Sequence, residues 1–300
     1  MSKIKYISVE QASQNWQISE RSVRNYCAQG RVEGALLEGK TWKIPSAAEK
    51  PDRKPRHSSA EETLLAFLKR EKDADLKGGI YHKIQIDLTY NSNHIEGSKL
   101  THDQTRYIFE TKTFGVTDKA VKVDDIVETV NHFRCIDLVI EGANTKLTES
   151  FIKQLHFILK SGTTDSQKSW FKVGDYKMLE NKVGGSETTK PAEVAGAIKA
   201  LLKEYNSNSK ITFDDILDFH VRFECIHPFQ DGNGRVGRLI MFKECLKHNI
   251  VPFIITEELK MYYYRGIKNW KEERGFLRDT CLTGQDGMKD TLNYFGIKYE

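Results

Sequence analysis

The sequence has no apolar run approaching the roughly 18 residues that a membrane-crossing helix needs. Its opening Met1-Ser2-Lys3-Ile4-Lys5 also lacks the apolar stretch of a secretory leader. Both absences predict a cytoplasmic protein with no membrane partner. The five cysteines, Cys27, Cys135, Cys225, Cys245 and Cys281, lie far apart and form no Cys-x-x-Cys pair. That argues against a zinc site and against a disulfide framework, and predicts reduced, mostly buried thiols. No internal repeat is present, and no strong excess of one charge marks the chain as a whole. The charge is unevenly placed, however: residues 1–57 carry 11 Lys/Arg against 6 Asp/Glu, and the rest carries 35 against 36. The basic surplus belongs to the N-terminal segment.

Three hundred residues exceed one typical domain, so a main domain with a small appended one is expected. Residues 46–60 are polar, contain Pro51 and Pro55 and show no apolar periodicity, which reads as a linker between a domain at 1–45 and another at 61–300. Beyond the linker the apolar spacing is helical at Leu64, Leu65, Phe67 and Leu68, at Ile80, Ile84 and Leu88, and at Ile216, Phe219 and Phe223. The fold class is therefore mainly α. One exception is Lys172 to Thr189, where Val183-Gly184-Gly185 among β-formers predicts a short hairpin.

In the N-terminal domain, Ser8-Val9-Glu10-Gln11 is a capping-box start for a helix to about Trp16, and Ser19 caps a second helix that Gly30 closes. Two short helices joined this tightly suggest helix-turn-helix. The second helix would expose Arg21, Arg24 and Asn25, residue types that contact phosphates and base edges of DNA. Gly34 to Pro45 reads as a hairpin turning at Glu38-Gly39, a candidate wing. The stretch resembles the small winged helix-turn-helix domains of the excisionase and MerR-like group. A lone half-site reader binds weakly, so a homo-oligomer would strengthen DNA contact. The alternative is a basic helical hairpin that docks on another protein.

Most of the chemistry lies in His227-Pro228-Phe229-Gln230-Asp231-Gly232-Asn233-Gly234-Arg235-Val236-Gly237-Arg238, which joins two helical stretches. His227 precedes a proline and so should leave its helix as that helix ends. Glycines flanking Asn233 let the backbone approach a ligand, and a helix N-terminus follows at once, so the loop is built for an anion. Arg235 and Arg238, i and i+3, stand where cations oppose the helix dipole, which implies an anion that offsets the cost; a polyphosphate fits. Asp231 offers one hard oxygen ligand for Mg²⁺ held mainly by phosphates and water. His227 has the ordinary pKa of a general base for an attacking hydroxyl. Phe229 should anchor the loop in the core, and the competing reading makes His227 a buried loop histidine beside a structural Asp–Arg network.

These residues match the Fic signature, His-x-Phe-x-Asp/Glu-Gly-Asn-Gly-Arg-x-x-Arg, at every fixed position, and residues 60–300 resemble that family. The resemblance implies an all-α core with a β-hairpin flap, and AMP transfer from ATP to Tyr, Thr or Ser of a target protein. By the same resemblance, His227 takes the target's proton and Asp231 holds Mg²⁺. Gly232, Asn233 and Gly234 bind phosphates, Arg238 grips the γ-phosphate, and Arg235 supports the others. Val173 to Lys177 with Val183 and Gly184 looks like the flap that pins the target by strand addition, with Lys177 standing where many relatives have arginine. Tyr264, within Tyr262-Tyr263-Tyr264, falls where an aromatic contacts adenine in relatives; ordinary packing is the other reading.

Upstream, Ser92-Asn93-His94-Ile95-Glu96-Gly97 ends an expected helix at about 80–97. Ser92 and Glu96 share a face. With Gly97 as the left-handed cap, Glu96 meets the repulsive end of the helix dipole and needs a cationic partner, unless it is simply a solvated helix-end acid. The segment resembles the inhibitory motif of Fic proteins, whose glutamate pairs with the second motif arginine, here Arg238. Some relatives use this glutamate to orient water and remove AMP, which leaves AMP removal as an alternative activity. Phosphoryl or phosphocholine transfer is a further alternative; the intact Gly-Asn-Gly favours AMP. A DNA-binding regulator whose Fic domain senses nucleotide is the reading from a different class.

Overall fold

Ser8 opens the first helix with a reciprocal cap: its hydroxyl accepts from the Gln11 N–H at 3.1 Å while the Gln11 side chain accepts from the Ser8 N–H. A computed structural model describes residues 5–28, 30–39, 41–51, 62–115 and 120–299, and Ser186 by its backbone alone. The chain divides into two units, Met1–Ala60 and Glu61–Glu300. Of the expected linker, residues 52–60 lie outside the described residues.

The first unit contains β1 (Tyr6–Ile7), α1 (Val9–Trp16), α2 (Glu20–Ala28), β2 (Leu36–Glu38) and β3 (Thr41–Pro45). Gln17, in the left-handed region, turns the chain out of α1. The three strands form an antiparallel sheet in the order β1-β3-β2, with Gly39 at φ 60° in the β2–β3 turn. The sequence reading contained the β2–β3 hairpin but not β1, whose two residues are too few to display a period. Val9, Ala12, Trp16, Val23, Cys27, Val32 and Ile44 form the unit's small core. Arg21, Arg24 and Asn25 all lie exposed on α2, and Arg24 pairs with Glu20 at 2.9 Å.

The second unit contains α3 (Leu64–Asp73), α4 (Ile80–Ile95), α5 (His102–Thr111), α6 (Val123–Gly142) and α7 (Glu149–Lys160). A 3-10 turn (Asp165–Gln167) and the hairpin β4 (Lys182–Val183) and β5 (Ser186–Glu187) follow. Then come α8 (Pro191–Tyr205), α9 (Phe213–Ile226), α10 (Asn233–Lys247), α11 (Glu257–Lys268) and α12 (Gly275–Phe295). The centre is α10, buried on every face from Arg235 to Leu246 and packed against α3, α4, α6, α7 and α9. A helix with apolar residues all round belongs inside, and this one carries the end of the His227–Arg238 stretch at its N-terminus. Cys27, Cys135, Cys245 and Cys281 are buried free thiols and Cys225 is an exposed one. Among the described residues no helix is long and apolar enough to cross a membrane.

Candidate active site

α9 stops because Pro228 cannot accept an α-helical residue before it. His227 takes a left-handed conformation at φ 51° and ψ 62°, while its N–H still donates to the Phe223 carbonyl at 2.9 Å. Phe229 is fully buried, stacked on the His156 ring with centroids 3.9 Å apart and planes 3° from parallel. Gly232 turns the chain at φ 81°, a conformation that L side chains avoid, and α10 begins with no side chain capping it. The N–H groups of its first turn are therefore left for a ligand. Asn233, expected to bind phosphates, engages its side-chain amide inside the loop. Its Oδ1 accepts from the Phe229 N–H and its Nδ2 donates to the Phe229 carbonyl, both at 2.8 Å.

The two arginines were expected on one face, but their guanidinium groups part company. Arg235 turns to Glu128 of α6 and to Asp231, the latter at 3.3 Å. Lys160, at the end of α7, joins the same network, donating to Glu128 and, at 2.7 Å, to Asp231. Burial alone would raise the Asp231 pKa, but Arg235 and Lys160 outweigh it and hold this carboxyl well below its ordinary range. Asp231 is thus ionised and half exposed at the mouth of the anion loop. Among the described residues no cluster of three or more His, Cys, Asp or Glu side chains could hold a metal. The donor set fits a divalent cation held by one carboxylate together with ligand oxygens.

Arg238 points the other way, to the end of α4. Its Nε donates to Ser92 Oγ at 3.0 Å, and its Nη2 donates to the Ser92 carbonyl at 2.9 Å and to Glu96 Oε1 at 2.7 Å. Glu96 caps α4 and Gly97 follows at φ 97°, so the carboxylate leaves the helix axis toward α10. Its Oε1 lies so close to Gly234 that a Cβ there would collide with it. Burial disfavours the Arg238 charge, but Glu96 more than compensates and lifts its pKa above the ordinary value. The chain's own anion therefore sits at the N-terminal turn of α10.

The His227 pKa is lowered to about 4, first by burial and then by the Lys177 ammonium, so the ring is neutral at pH 7. Lys177 belongs to the segment before the hairpin, which is short and lies around Val183 and Gly184. Only Lys182–Val183 and Ser186–Glu187 pair, around Gly184 and Gly185 at φ 56° and 83°, the two-residue turn such glycines favour. Residues 173–177 form no strand because they are tied elsewhere. The Gly174 N–H donates to His156 Nδ1 at 2.9 Å, and the Lys177 N–H donates to the Pro228 carbonyl at 2.9 Å. The Lys177 ammonium is buried among Asn181 Oδ1, Thr188 Oγ1 and the Ile226 carbonyl, at 2.7, 2.6 and 3.4 Å. Val183 remains partly exposed on the hairpin.

Tyr262-Tyr263-Tyr264 divides by role. Tyr263 is buried against His220, whereas Tyr264 is 41% exposed. Burial and then Glu96 raise the Tyr264 phenol to about 12. Sequence reasoning missed His156, Lys160, Glu128 and Glu224. His156 fixes the loop from below, its Nδ1 accepting from Gly174 and its Nε2 meeting the Asp231 carbonyl at 3.2 Å. The available signal was the i,i+4 spacing of His156 and Lys160 on one face of α7.

Residues 146–245 match the family model described as the Fic/DOC family. Curated relatives named protein adenylyltransferase Fic include that of Aedes aegypti, 26% identical over 227 residues, covering 74% of this chain and 42% of the relative. That of Drosophila grimshawi is 27% identical over 237 residues, covering 76% and 45%. The chain spans less than half the length of these curated relatives. A solved Fic domain containing signaling protein from Bacteroides thetaiotaomicron is 25% identical with a TM-score of 0.57, covering 77% of this chain and 90% of that one. Fic-1 from C. elegans, 17% identical with a TM-score of 0.59 over 77% of this chain and 71% of that one, shares the fold. The mainly helical architecture is that of Fic-domain structures.

Proposed function

We propose that this chain is a protein adenylyltransferase, moving AMP from ATP to a Tyr, Thr or Ser hydroxyl of a target protein, with Glu96 as its built-in inhibitor. The observation that carries the reading is the Glu96 carboxylate held by Arg238 over Gly234. An anion already seated at a helix N-terminus beside a buried guanidinium marks where a phosphate would compete for the same contacts. Similarity to proteins named adenylyltransferase supports the reaction class.

In this mechanism Gly232, Gly234 and the first-turn N–H groups of α10, the Asn233 N–H among them, cradle the phosphates. Arg235, braced by Glu128 and Asp231, supports them, and Arg238 takes the γ-phosphate once Glu96 yields. Mg²⁺ at Asp231 would neutralise charge on the polyphosphate. Tyr264 faces the adenine, and the hairpin at Val183 and Gly184 receives an extended target segment by strand addition. The target hydroxyl oxygen bonds to the α-phosphorus and the α–β bridging P–O bond breaks. Pyrophosphate leaves with the electron pair, and neutral His227 accepts the hydroxyl proton. His227→Ala should abolish transfer yet leave ATP binding nearly unchanged, because the imidazole acts on the target's proton; retained transfer in that variant would overturn the assignment.

The arrangement of α1, α2 and the β2–β3 hairpin, with Arg21, Arg24 and Asn25 exposed, supports a second role for residues 1–45 as a winged helix-turn-helix that contacts DNA. In that organisation residues 46–60 serve as linker, residues 61–300 form the transferase domain, and the protein works in the cytoplasm, pairing into a homo-oligomer if it reads two half-sites.

A further inference from the structure

Glu224 lies one turn before His227 on α9, and its Oε2 stands 3.7 Å from His227 Nδ1. Both are almost enclosed, and neither His227 Nδ1 nor Glu224 Oε1 finds a hydrogen-bond partner in the protein. An orphaned ring nitrogen with a buried carboxyl group 3.7 Å away inside a candidate active site calls for an account, because a buried polar group costs about 1–3 kcal/mol if it stays unsatisfied. The space they occupy is kept open by Gly237 of α10: a Cβ there would lie 2.8 Å from Glu224 Oε1 and 2.7 Å from His220 Cε1.

We propose that Glu224 is the positioning residue of His227, its ionised carboxylate receiving the Nδ1–H so that Nε2 faces the target hydroxyl and the imidazolium formed by proton transfer is stabilised. This rests on the adenylyltransferase reading. The arrangement follows the logic of an acid behind a histidine base: the acid fixes the tautomer and supports the positive ring without taking the proton itself. The proton of the target hydroxyl ends on Nε2, the Nδ1 proton stays on the ring, and no further reactant is required. The Glu224 main-chain carbonyl, although it makes no hydrogen bond to Nδ1, also favours the protonated ring, so backbone and side chain act in the same sense.

The carboxyl is not ionised throughout the physiological range. Burial first, and Glu96 of α4 second, push its pKa up to about 8, against the opposing pull of Arg238 from α10. The other groups around it are His220 on α9 and Tyr263 and Tyr264 on α11, whose phenols are raised by burial and feel the same carboxyl. Loss of the Glu224 proton should therefore turn the base on as pH rises. Lys177, from the segment before the hairpin, is lowered to about 8 by burial and acts on the same ring, so it must be told apart.

The test follows the His227 ring signals of the full-length chain by NMR from pH 5 to 10 and, in parallel, AMP transfer by the Glu96→Gly form. In the parent chain His227 should respond near pH 8. The response should persist in Lys177→Arg, which stays charged, and vanish in Glu224→Gln. With Glu224 present, transfer by the Glu96→Gly form should climb with pH, and at a lower pH than the parent's ring response, because the Glu96 charge that helps raise Glu224 is gone. With Glu224→Gln it should be flat and lower at pH 9 by about 10- to 100-fold, a part of the 10²–10⁴ that a general base contributes, while the KM for ATP holds. A His227 ring silent near pH 8, or a Glu224→Gln form with the parent profile, overturns the proposal. Absence of AMP transfer by Glu96→Gly at every pH would instead overturn the adenylyltransferase reading, with the ring titration still judging the Glu224–His227 pair.

Discussion

Glu96→Gly removes the acceptor of the 2.7 Å bond from Arg238 while leaving its two bonds to Ser92 in place. The consequences for stability and activity run in opposite directions. Arg238 is 5% exposed and Glu96 29% exposed, so the pair is neither a surface contact nor a sealed one. Deleting one member of a sealed pair costs about 3–5 kcal/mol, whereas surface pairs contribute about 0–1. With water able to enter where Glu96 stood, about 2 kcal/mol is expected, a fall of roughly 4–8 °C in Tm at this size. Purified variant and parent at equal concentration, given α-labelled ATP and a protein substrate, should differ by on the order of 100-fold in AMP incorporation, because a displacement of about 1 Å from in-line geometry can cost that much. MgATP at about 100 times its Kd would restore about 2.7 kcal/mol to the variant, and should raise its Tm more than the parent's. A variant no faster than the parent, with the same thermal response to ATP, would refute the reasoning.

Acid should unfold the protein through its buried histidines. Burial holds His132, His156 and His220 at about 3 against 6.5 when unfolded. Below pH 6.5 the unfolded chain binds protons the native state refuses, so their stability, intact above 6.5, is lost toward pH 3, on the order of 4 kcal/mol per histidine at the bottom. Glu224, with its pKa raised, works in the opposite sense, favouring the fold at low pH and ceasing to do so as pH passes 8. Urea unfolding at pH 7.5 and pH 4.5 should give a clearly lower midpoint at the lower pH; equal midpoints would contradict this. Arg24→Ala should weaken DNA binding by the full chain, and binding by the parent should fall steeply with salt; binding indifferent to salt would favour protein docking instead.

Twelve contiguous residues made the anion loop legible, since His227, Asp231, the glycines and both arginines announce their chemistry by type and spacing alone. Its support was not legible. Glu128 reaches Arg235 across 107 positions and Lys160 reaches Asp231 across 71, and no local periodicity encodes such pairings. That the Asn233 side chain braces the loop was not legible either, because a residue that braces a loop and one that binds phosphate can occupy the same sequence position. The short hairpin was legible from Val183-Gly184-Gly185; that the β-forming residues before it, Val173 and Tyr176, form no strand was not, because Gly174 and Lys177 tie that segment to His156 and the motif loop. For Glu96 the awkward charge at a helix end did point toward a cation, and the structure pairs it with Arg238. Glu224 was not legible because an acid in a helix usually faces water, and this one is buried by tertiary packing that local spacing does not encode.

In the proposed reaction AMP, not phosphate, moves from ATP to protein. The most direct measurement supplies the Glu96→Gly chain and a lysate with ATP labelled either at the α- or at the γ-phosphate, then asks which label becomes covalently bound to protein. Adenylyl transfer should leave α-label on protein hydroxyls with pyrophosphate released in equal amount, and no γ-label. Covalent γ-label without α-label would mean phosphoryl transfer and would contradict it.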